Sequence, residues 1–400
     1  MIGLMLTARA LRAFADGFVA ILLPAYLLAL GHGQVEVGFL SSATLFGSAI
    51  ATLAVGRFGH RFSIRALLLA AALLMALTGL GFAGLTSLWP LMLVAFMGPL
   101  NPSGGDVSVF LPLEHTVLAT GATPHARTDV FARYSFTGSI FGALGALAAA
   151  VPDWLSSVVG LPHVDALRSM FVVYAVIGLI VWVLYWRLPK ARAAEAAPPA
   201  PLGPSRSIVW KLAGLFSIDS FAGGLVVNAL LALWLFEKFG MTLAAAGVFF
   251  FWTGLLGAFS QLAAAPLARR IGLINTMVFT HIPASLCLIG AALAPSLAAA
   301  LALLLVRSAL SQMDVPARSA YVVGGDAGRA SRRRELHSGA SQSCFGAQPV
   351  AHRHDVRGRR DGGAAGGLRG AKDRLRRCPL RGVSTRQAGK LTAAGRARPG

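Results

Sequence analysis

Ionisable side chains interrupt several long apolar runs of this 400-residue chain. Asp16, Asp106 and Glu114 lie in such runs in the first half of the sequence. Asp219 and Asp314 lie in comparable runs of the second half. An ionised group at the centre of a bilayer costs about 2.5 to 3.5 kcal/mol, so such groups usually face a partner or a water-filled cavity. These carboxylates are therefore candidates for binding a small molecule or a proton.

Asp16 and Asp219 occupy equivalent places, one to two turns into their apolar runs. One interpretation makes them cavity-facing groups that bind substrate or a proton. The other makes them interfacial residues paired with Arg12 or Lys211, since Arg12 and Asp16 have the i, i+4 spacing of helix neighbours.

The stretch "GPLNPSGGDVSVFLPLEH" at 98–115 combines prolines, glycines and polar residues within one apolar run. Proline removes a backbone donor and clashes with the preceding turn, which predicts a kink or break near 99–105. Irregular backbone at membrane depth is tolerated only against protein or a cavity. Asn101, Ser103 and Asp106 are therefore expected to line a path, with Glu114 as a gate or proton relay. The alternative is a kink that serves packing, with Asp106 bound to an arginine.

Other candidates are single polar residues in apolar runs. Arg133 can pair with Asp106 or Glu114, form an anion site, or extend to the membrane interface, which we favour. His281 suits a proton relay because imidazole titrates near neutral pH, although a structural, hydrogen-bonded histidine is the preferred interpretation. Arg307, Gln312 and Asp314 have near-helical spacing and predict one polar face. Gly138, Gly142 and Gly145 predict a small face for close helix packing.

Several chemical classes lack support. No Walker, HExxH or nucleophile-elbow pattern occurs, so we expect neither an ATP-driven pump nor an enzyme. Cys287, Cys344 and Cys378 match no metal-ligand or redox spacing, and we expect no metal, cofactor or disulfide.

The elements that must position these residues are membrane-spanning helices. With 56% hydrophobic and 13% charged residues, the chain is typical of an integral membrane protein. A bilayer core of about 30 Å needs roughly 20 apolar residues of helix. The predicted fold class is an all-α polytopic membrane protein with ten recognisable spans: 11–31, 36–56, 66–86, 89–118, 129–150, 169–188, 208–236, 242–265, 272–294 and 297–323.

Lysine and arginine concentrate in alternate loops, which predicts orientation. The opposite loops carry only Arg168 and Lys238. We therefore expect a cytoplasmic N-terminus and a cytoplasmic linker at 189–207, in the cell inner membrane. The enriched loops contain Arg57, Arg61, Arg65, Arg127, Arg187, Lys190, Arg192, Arg206, Lys211, Arg269 and Arg270.

The two halves repeat one another. "LRAFADGFVAILLPAYLLALG" and "LFSIDSFAGGLVVNALLALWLFEKFG" each carry an early aspartate, and the basic turns "GRFGHRFSIR" and "APLARRIGLIN" follow the second span of each half. Each half has an Asp-Val pair in its fourth span, at 106 and 314. Parallel halves joined by a long linker are typical of two-bundle transporters.

On these features, residues 1–323 resemble the major facilitator superfamily (MFS). The family pattern between spans two and three is Gly-x-x-x-Asp-Arg/Lys-x-Gly-Arg/Lys. Gly56 and Arg61 fit it, while His60 replaces the aspartate and Ser63 the second glycine; Arg65 is a further basic residue of this loop. In the second half Arg270 and Gly272 fit, and Arg269 takes the acidic position. The resemblance implies a gating loop whose acidic partner is missing twice.

The resemblance also implies an MFS-type two-bundle fold with six helices in each bundle. We expect a six-helix bundle at 1–188, the linker at 189–207, and four of six helices at 208–323. The family carries a glycine-rich antiporter motif on its fifth helix, and the pattern here is incomplete. The implied activity is secondary active transport of a small molecule by alternating access, with proton-coupled efflux as the suggested mode. We expect a monomer in the lipid bilayer.

Residues 324–400 differ in composition from the rest and admit three interpretations. Half of the chain's 36 lysines and arginines lie beyond residue 320. The segment is an arm for nucleic acid or anionic lipid, a metal site from Cys344, His352, His354 and Cys378, or sequence translated out of frame. Back-translation of "RELHSGASQSCFGAQPVAHRHDVRG" and a shift of one base yields an apolar segment with small residues, typical of an eleventh span. We favour the third interpretation, an aberrant, disordered basic tail, and expect no nucleic-acid partner. The alternative is a ten-span membrane protein with a basic cytoplasmic domain that binds nucleic acid or anionic lipid.

Overall fold

The computed structural model describes residues 1–103, 108–121, 127–189 and 226–313, with isolated positions at 211, 214, 218 and 222. Every regular element in these ranges is helical. The predicted class, an all-α polytopic membrane protein of two bundles, is confirmed. The tail at 324–400, most of the linker, and the predicted site residues Asp106, Asp219 and Asp314 lie outside the described residues.

The described part of the first bundle contains eight α-helical segments, a 3-10 turn at Gly59–Arg61 and a π-helical turn at Leu155–Val159. The α-helical segments are α1 (Ile2–Ala29), α2 (Gln34–Phe58), α3 (Ile64–Gly84), α4 (Leu88–Met97), α5 (Phe110–Gly121), α6 (Arg127–Ala148), the single turn α7 (Val151–Trp154) and α8 (His163–Trp186). The described part of the second bundle contains α9 (Asn228–Phe239), α10 (Leu243–Ile271), α11 (Leu273–Leu293) and α12 (Leu297–Ser311).

Seven of the described helices are long and apolar enough to cross a membrane, compared with ten predicted spans. The fourth predicted span falls short because the chain leaves the helix after Met97, and Pro99 and Pro102 follow at once. The predicted break near 99–105 is thus confirmed. The seventh and tenth spans continue into residues outside the described ranges.

Helix α1 lies at the centre of the first bundle and packs against α6 and α8. Its close approach to α6 depends on glycine. A Cβ on Gly17 would overlap the carbonyl oxygen of Gly142, and one on Gly145 would overlap that of Phe14. The predicted small face of α6 therefore exists and lies against α1.

An aromatic cluster joins α1, α3 and α8. The Tyr26 hydroxyl of α1 donates to the carbonyl of Phe82 on α3 at 2.7 Å. Phe171 of α8 stacks on Phe82 with ring centroids 5.2 Å apart. Burial of these large side chains together with a satisfied hydroxyl stabilises the bundle without leaving a polar atom in an apolar core.

Candidate functional site

A polar cavity of about 210 Å³ lies between the two bundles. Helices α1 and α6 form one wall, and α9, α10 and α12 form the other. Its polar lining residues are Arg9, Ser103, Ser139, Asn228, Thr253, Gln261, Arg307, Ser308, Ser311 and Gln312. Glycine and alanine supply most of the remaining surface, so polar groups from both bundles reach the space between them.

The wall from α12 is the polar face predicted from spacing. Arg307 and Gln312 both line the cavity, together with Ser308 and Ser311 one turn apart on the same side of the helix. Asp314, the third predicted member, lies outside the described residues. Of the charged candidates whose placement is described, Arg307 is the one that lines the cavity.

Arg9, on the opposite wall, was not predicted as a site residue from the sequence. Its side chain is 6% exposed and its guanidinium lies 5.1 Å from the ring centre of Tyr134. Gly138 on α6 leaves it room, because a Cβ there would overlap the guanidinium. The spacing of Arg9, Arg12 and Asp16, three and seven residues apart on one helix, was the available signal.

A chain of polar side chains connects the bundles across this site. The Ser135 hydroxyl of α6 donates to Gln261 of α10 at 3.3 Å, and the Gln261 amide donates to Gln312 of α12 at 3.5 Å. Gln261 was not predicted as a site residue, and Gln312 was predicted only as part of a polar face. Because these bonds are long and uncharged, they can be exchanged for bonds to a ligand at small cost.

The break between α4 and α5 also reaches the second bundle. The Asn101 side-chain oxygen accepts hydrogen bonds from the backbone N–H of Ser103 at 3.1 Å and from its hydroxyl at 2.5 Å. The carbonyl of Pro102 accepts from the backbone N–H of Ala229 in α9 at 3.0 Å. Of the predicted polar run, Ser103 lines the cavity and Asn101 is buried behind it.

Glu114 belongs to a separate network inside the first bundle. Its carboxylate pairs with Arg12 of α1, accepts from the Tyr134 hydroxyl of α6, and accepts from the Tyr185 hydroxyl of α8 at 2.5 Å. Glu114 is 0% exposed and Arg12 is 2% exposed. Neither lines the cavity. The network therefore joins four helices of one bundle, and its partner for Glu114 is Arg12.

Arg133, the other predicted partner of Glu114, points elsewhere. It pairs with Asp129 of the same helix at 3.0 Å, and the two side chains are 69% and 63% exposed. Extension of Arg133 to the membrane interface stays a prediction.

Asp16 lies one turn beyond Arg12 on α1 and is 8% exposed. It attracts Arg12 electrostatically and also lies near Tyr174 of α8. The next residue, Gly17, lines the cavity. Asp16 is thus a buried carboxylate next in sequence to a residue that lines the cavity.

The predicted gating loops lie at helix ends. Arg65 donates from its guanidinium to the carbonyl of Trp186 at 2.5 Å and lies over that ring at 5.3 Å. Gly56 and His60 are exposed, and Arg61 lies over the ring of Phe58. Within the described residues, the first loop forms no ion pair, in keeping with the absent aspartate.

In the second loop, Arg269 and Arg270 occupy the last turn of α10 and are exposed. Gly272 follows with φ +87°, a backbone conformation that favours glycine.

His281 is exposed on α11 and does not line the cavity. Among the residues that the structure describes, no group of histidine, cysteine, aspartate and glutamate is arranged to hold a metal.

Comparison with known proteins identifies a family. Residues 5–323 match the family described as Major Facilitator Superfamily. A membrane protein of Saccharomyces cerevisiae, described as uncharacterised, is 24% identical over 311 residues, which cover 69% of each chain. The family match ends at residue 323, where the long apolar runs also end.

Solved structures share the fold at low identity. A bacterial homolog of the human lysosomal transporter Spinster, inward-facing and unoccupied, has a TM-score of 0.59 at 15% identity and covers 79% of this chain and 73% of its own. The xylose transporter XylE of E. coli, partially occluded and inward open, has a TM-score of 0.57 at 15% identity, and the match covers 80% of this chain and 86% of XylE. The nucleoside transporter NupG has a TM-score of 0.55 at 16% identity, and the match covers 78% of each chain.

Proposed function

The chain belongs to the major facilitator superfamily, and from this premise we propose that it moves a small molecule through the central cavity by alternating access. Membership makes it a multi-pass secondary transporter. The observation that carries the proposal is the cavity itself, which polar residues of both bundles line. A ligand in that position contacts both bundles and can couple its own binding to their relative movement.

Contacts between the bundles suit such a movement. A Cβ on Gly247 of α10 would lie 2.6 Å from the carbonyl oxygen of Ala146 on α6, and one on Gly254 would lie 2.9 Å from Ala143 Cβ. Small residues give two smooth helix surfaces here, whereas the hydrogen bond from Ser135 to Gln261 provides a weak polar contact. We propose that α6 rocks against α10 about the small-residue contact and that the polar contact breaks and reforms.

We propose that residues 324–400 are out-of-frame sequence and that the last two spans are lost with them. The end of the family match at 323 and the basic composition beyond it support this proposal. The gene's nucleotide sequence at the codons for Val323 to Arg334 tests it directly. Absence of a frame encoding two further apolar spans would reject it. If the tail instead is a basic domain, deleting 324–400 removes a salt-sensitive binding activity.

The transport proposal is tested with the frame-repaired gene. Vesicles containing the repaired protein are incubated with a defined metabolite mixture, and accumulated compounds are measured by mass spectrometry against empty-vector vesicles. Ser139→Trp fills the cavity and should abolish accumulation. Leu144→Trp lies on the same helix but is exposed, and should preserve it. Equal activity of both variants refutes a path through this cavity. The unrepaired chain should accumulate little, because its second bundle lacks two helices.

We propose that transport is proton-coupled, in the export direction, with Asp16 as the protonation site. Asp16 is a buried carboxylate beside the cavity-lining Gly17, whereas the Glu114 carboxylate already accepts from three donors. The glycines of α6 match part of the glycine-rich motif that the family's antiporters carry, and this partial match supports antiport. In inverted vesicles, a protonophore should reduce accumulation by the repaired protein at least tenfold. Asp16→Asn should make the residual transport insensitive to the protonophore, and retained sensitivity would reject Asp16.

We propose a monomer in the cell inner membrane with its N-terminus in the cytoplasm. The alternation of basic loops supports this orientation. An impermeant maleimide should label Gly56→Cys in inverted vesicles and not in right-side-out vesicles, in a background where the native cysteines are serine. Labelling with the opposite sidedness would reverse the topology.

A further inference from the structure

We propose that a cavity between α9 and α11 is the docking seat of one apolar transmembrane helix, the last span of the repaired reading frame, and that a separate polypeptide can supply this helix. Such docking deepens the proposed transport function and rests on the proposed loss of the last two spans. The docked helix completes the second bundle.

The α9–α11 cavity has a volume of about 250 Å³ and is distinct from the central cavity. Its described lining consists of apolar and aromatic side chains, among them Leu230 and Trp234 of α9, Leu288 and Ala291 of α11, and Leu304 of α12. Protein interiors leave few voids larger than a water molecule, and such a lining offers water few hydrogen-bond partners. The cavity therefore suits the apolar side chains of another helix.

A repeat with constant spacing shows which helix fits there. Helices α2 and α10 begin at Gln34 and Leu243, 209 residues apart, and the same difference separates the starts of α3 and α11, at Ile64 and Leu273, and of α4 and α12, at Leu88 and Leu297. The glycines that follow α1 and α9, Gly31 and Gly240, have this spacing as well, and both have positive φ. Helices α9 and α11 are therefore the counterparts of α1 and α3.

In the first bundle, α8 fills the place between α1 and α3. The ring of Phe171 on α8 lies 4.9 Å from that of Tyr26 on α1 and 5.2 Å from that of Phe82 on α3, measured between centroids. The counterpart of Phe82 on α11 is Ala291, which lines the α9–α11 cavity. The cavity thus occupies the place in the second bundle that α8 fills in the first.

The side of α3 that α8 covers is more exposed on α11. A Cβ on Gly178 of α8 would lie 2.7 Å from the backbone nitrogen of the buried Ala76, whose counterpart Ser285 is exposed. In an 18-residue apolar stretch of each helix, 44% of the residues are buried in α3 and 22% in α11. Leu288 takes the place of Gly79, which contacts α8 closely. A helix docked on α11 therefore needs small residues opposite Leu288, as close packing between membrane helices favours.

The docked helix connects α9 to the rest of the second bundle. In the first bundle, α1 and α3 both pack against α8, which holds them together. Helix α9 packs against α1 of the first bundle, whereas α12 forms the wall of the central cavity that contains Arg307 and Gln312. A helix between α9 and α11 holds these parts in one body, and alternating access requires bundles that rock as units.

The test combines the full 400-residue chain with a separate polypeptide that contains the two repaired spans. Both are produced in the same cells with the native cysteines changed to serine, and single cysteines are placed along the last span. On oxidation, Ser285→Cys should form disulfides with cysteines that recur every three or four positions of that span. Leu286→Cys is the matched control, because it lies about 100° further around α11. Leu286 is 62% exposed and its counterpart Leu77 is 54% exposed, so the control should cross-link at most one tenth as much.

Accumulation in vesicles gives a second readout. The separate polypeptide should restore accumulation to the 400-residue chain. Leu288→Trp fills the α9–α11 cavity and should reduce the restored accumulation at least tenfold, whereas Leu286→Trp should preserve it.

The proposal is overturned if Ser285→Cys forms no disulfide with the last span, or if Leu286→Cys forms as many. Disulfides of Ser285→Cys with a second copy of the chain, in place of the separate polypeptide, also overturn it, as does full restoration with Leu288→Trp. A gene without two further spans removes this occupant together with the out-of-frame proposal. If the repaired single chain transports while the separate polypeptide neither cross-links nor restores accumulation, only the docking is rejected and the transport function stands.

Discussion

The Arg12–Glu114 pair offers a quantitative test of what holds the first bundle together. Glu114 is fully buried and has three donors from three other helices, as described above. Glu114→Gln preserves the shape of the side chain but leaves the buried Arg12 charge without its ion-pair partner. Breaking a buried pair by removing one partner typically costs about 3 to 5 kcal/mol. We therefore expect Glu114→Gln to lower the free energy of unfolding by that amount.

Removing both members of the pair should have a different effect. Arg12→Met with Glu114→Leu removes both members of the ion pair, so neither is left buried without the other. Replacing both members of a buried pair is often nearly neutral, although the hydroxyls of Tyr134 and Tyr185 then lose their acceptor at about 1 to 3 kcal/mol each. Arg12→Met with Glu114→Leu, combined with Tyr134→Phe and Tyr185→Phe, should therefore be more stable than Glu114→Gln alone.

The assay is denaturant unfolding of the purified protein in mixed micelles, with each variant compared at the same detergent composition. Asp129→Asn is the matched control, because it breaks the exposed pair with Arg133 and should change the free energy by less than about 1 kcal/mol. A loss below 1 kcal/mol for Glu114→Gln, or an equal loss for the control, would refute the assignment of a buried, stabilising network.

Three further outcomes follow from the packing. Gly17→Ala should destabilise the chain by about 1 to 3 kcal/mol through overpacking against α6, whereas Gly3→Ala, with open space around it, should not; thermal unfolding compares the two. Tyr26→Phe removes the bond to the Phe82 carbonyl and should cost about 1 kcal/mol in the same measurement. His281→Phe should leave accumulation by the repaired protein unchanged, since His281 lies away from the cavity, and a loss of transport would revive its role as a relay.

The membrane class, the broken fourth span and the family were predictable from the sequence alone. Long apolar runs can be satisfied only by spanning helices, because a bilayer offers no partner for free backbone groups. Proline acts locally, so Pro99 and Pro102 predicted where the fourth span leaves the helix. The polar face of α12 followed from helical periodicity, which needs no knowledge of neighbouring helices.

The partners of the charged residues were decided by tertiary structure. Sequence spacing offers Arg12 a neighbour in Asp16, four residues away, whereas the structure pairs it with Glu114, 102 residues away. The same holds for Arg9, whose place in the cavity depends on how closely α1 approaches the small face of α6. Helical periodicity specifies which side of a helix a residue occupies, but the packing of helices distant in sequence decides what that side meets. The roles of Asp106, Asp219 and Asp314, which lie outside the described residues, stay predictions.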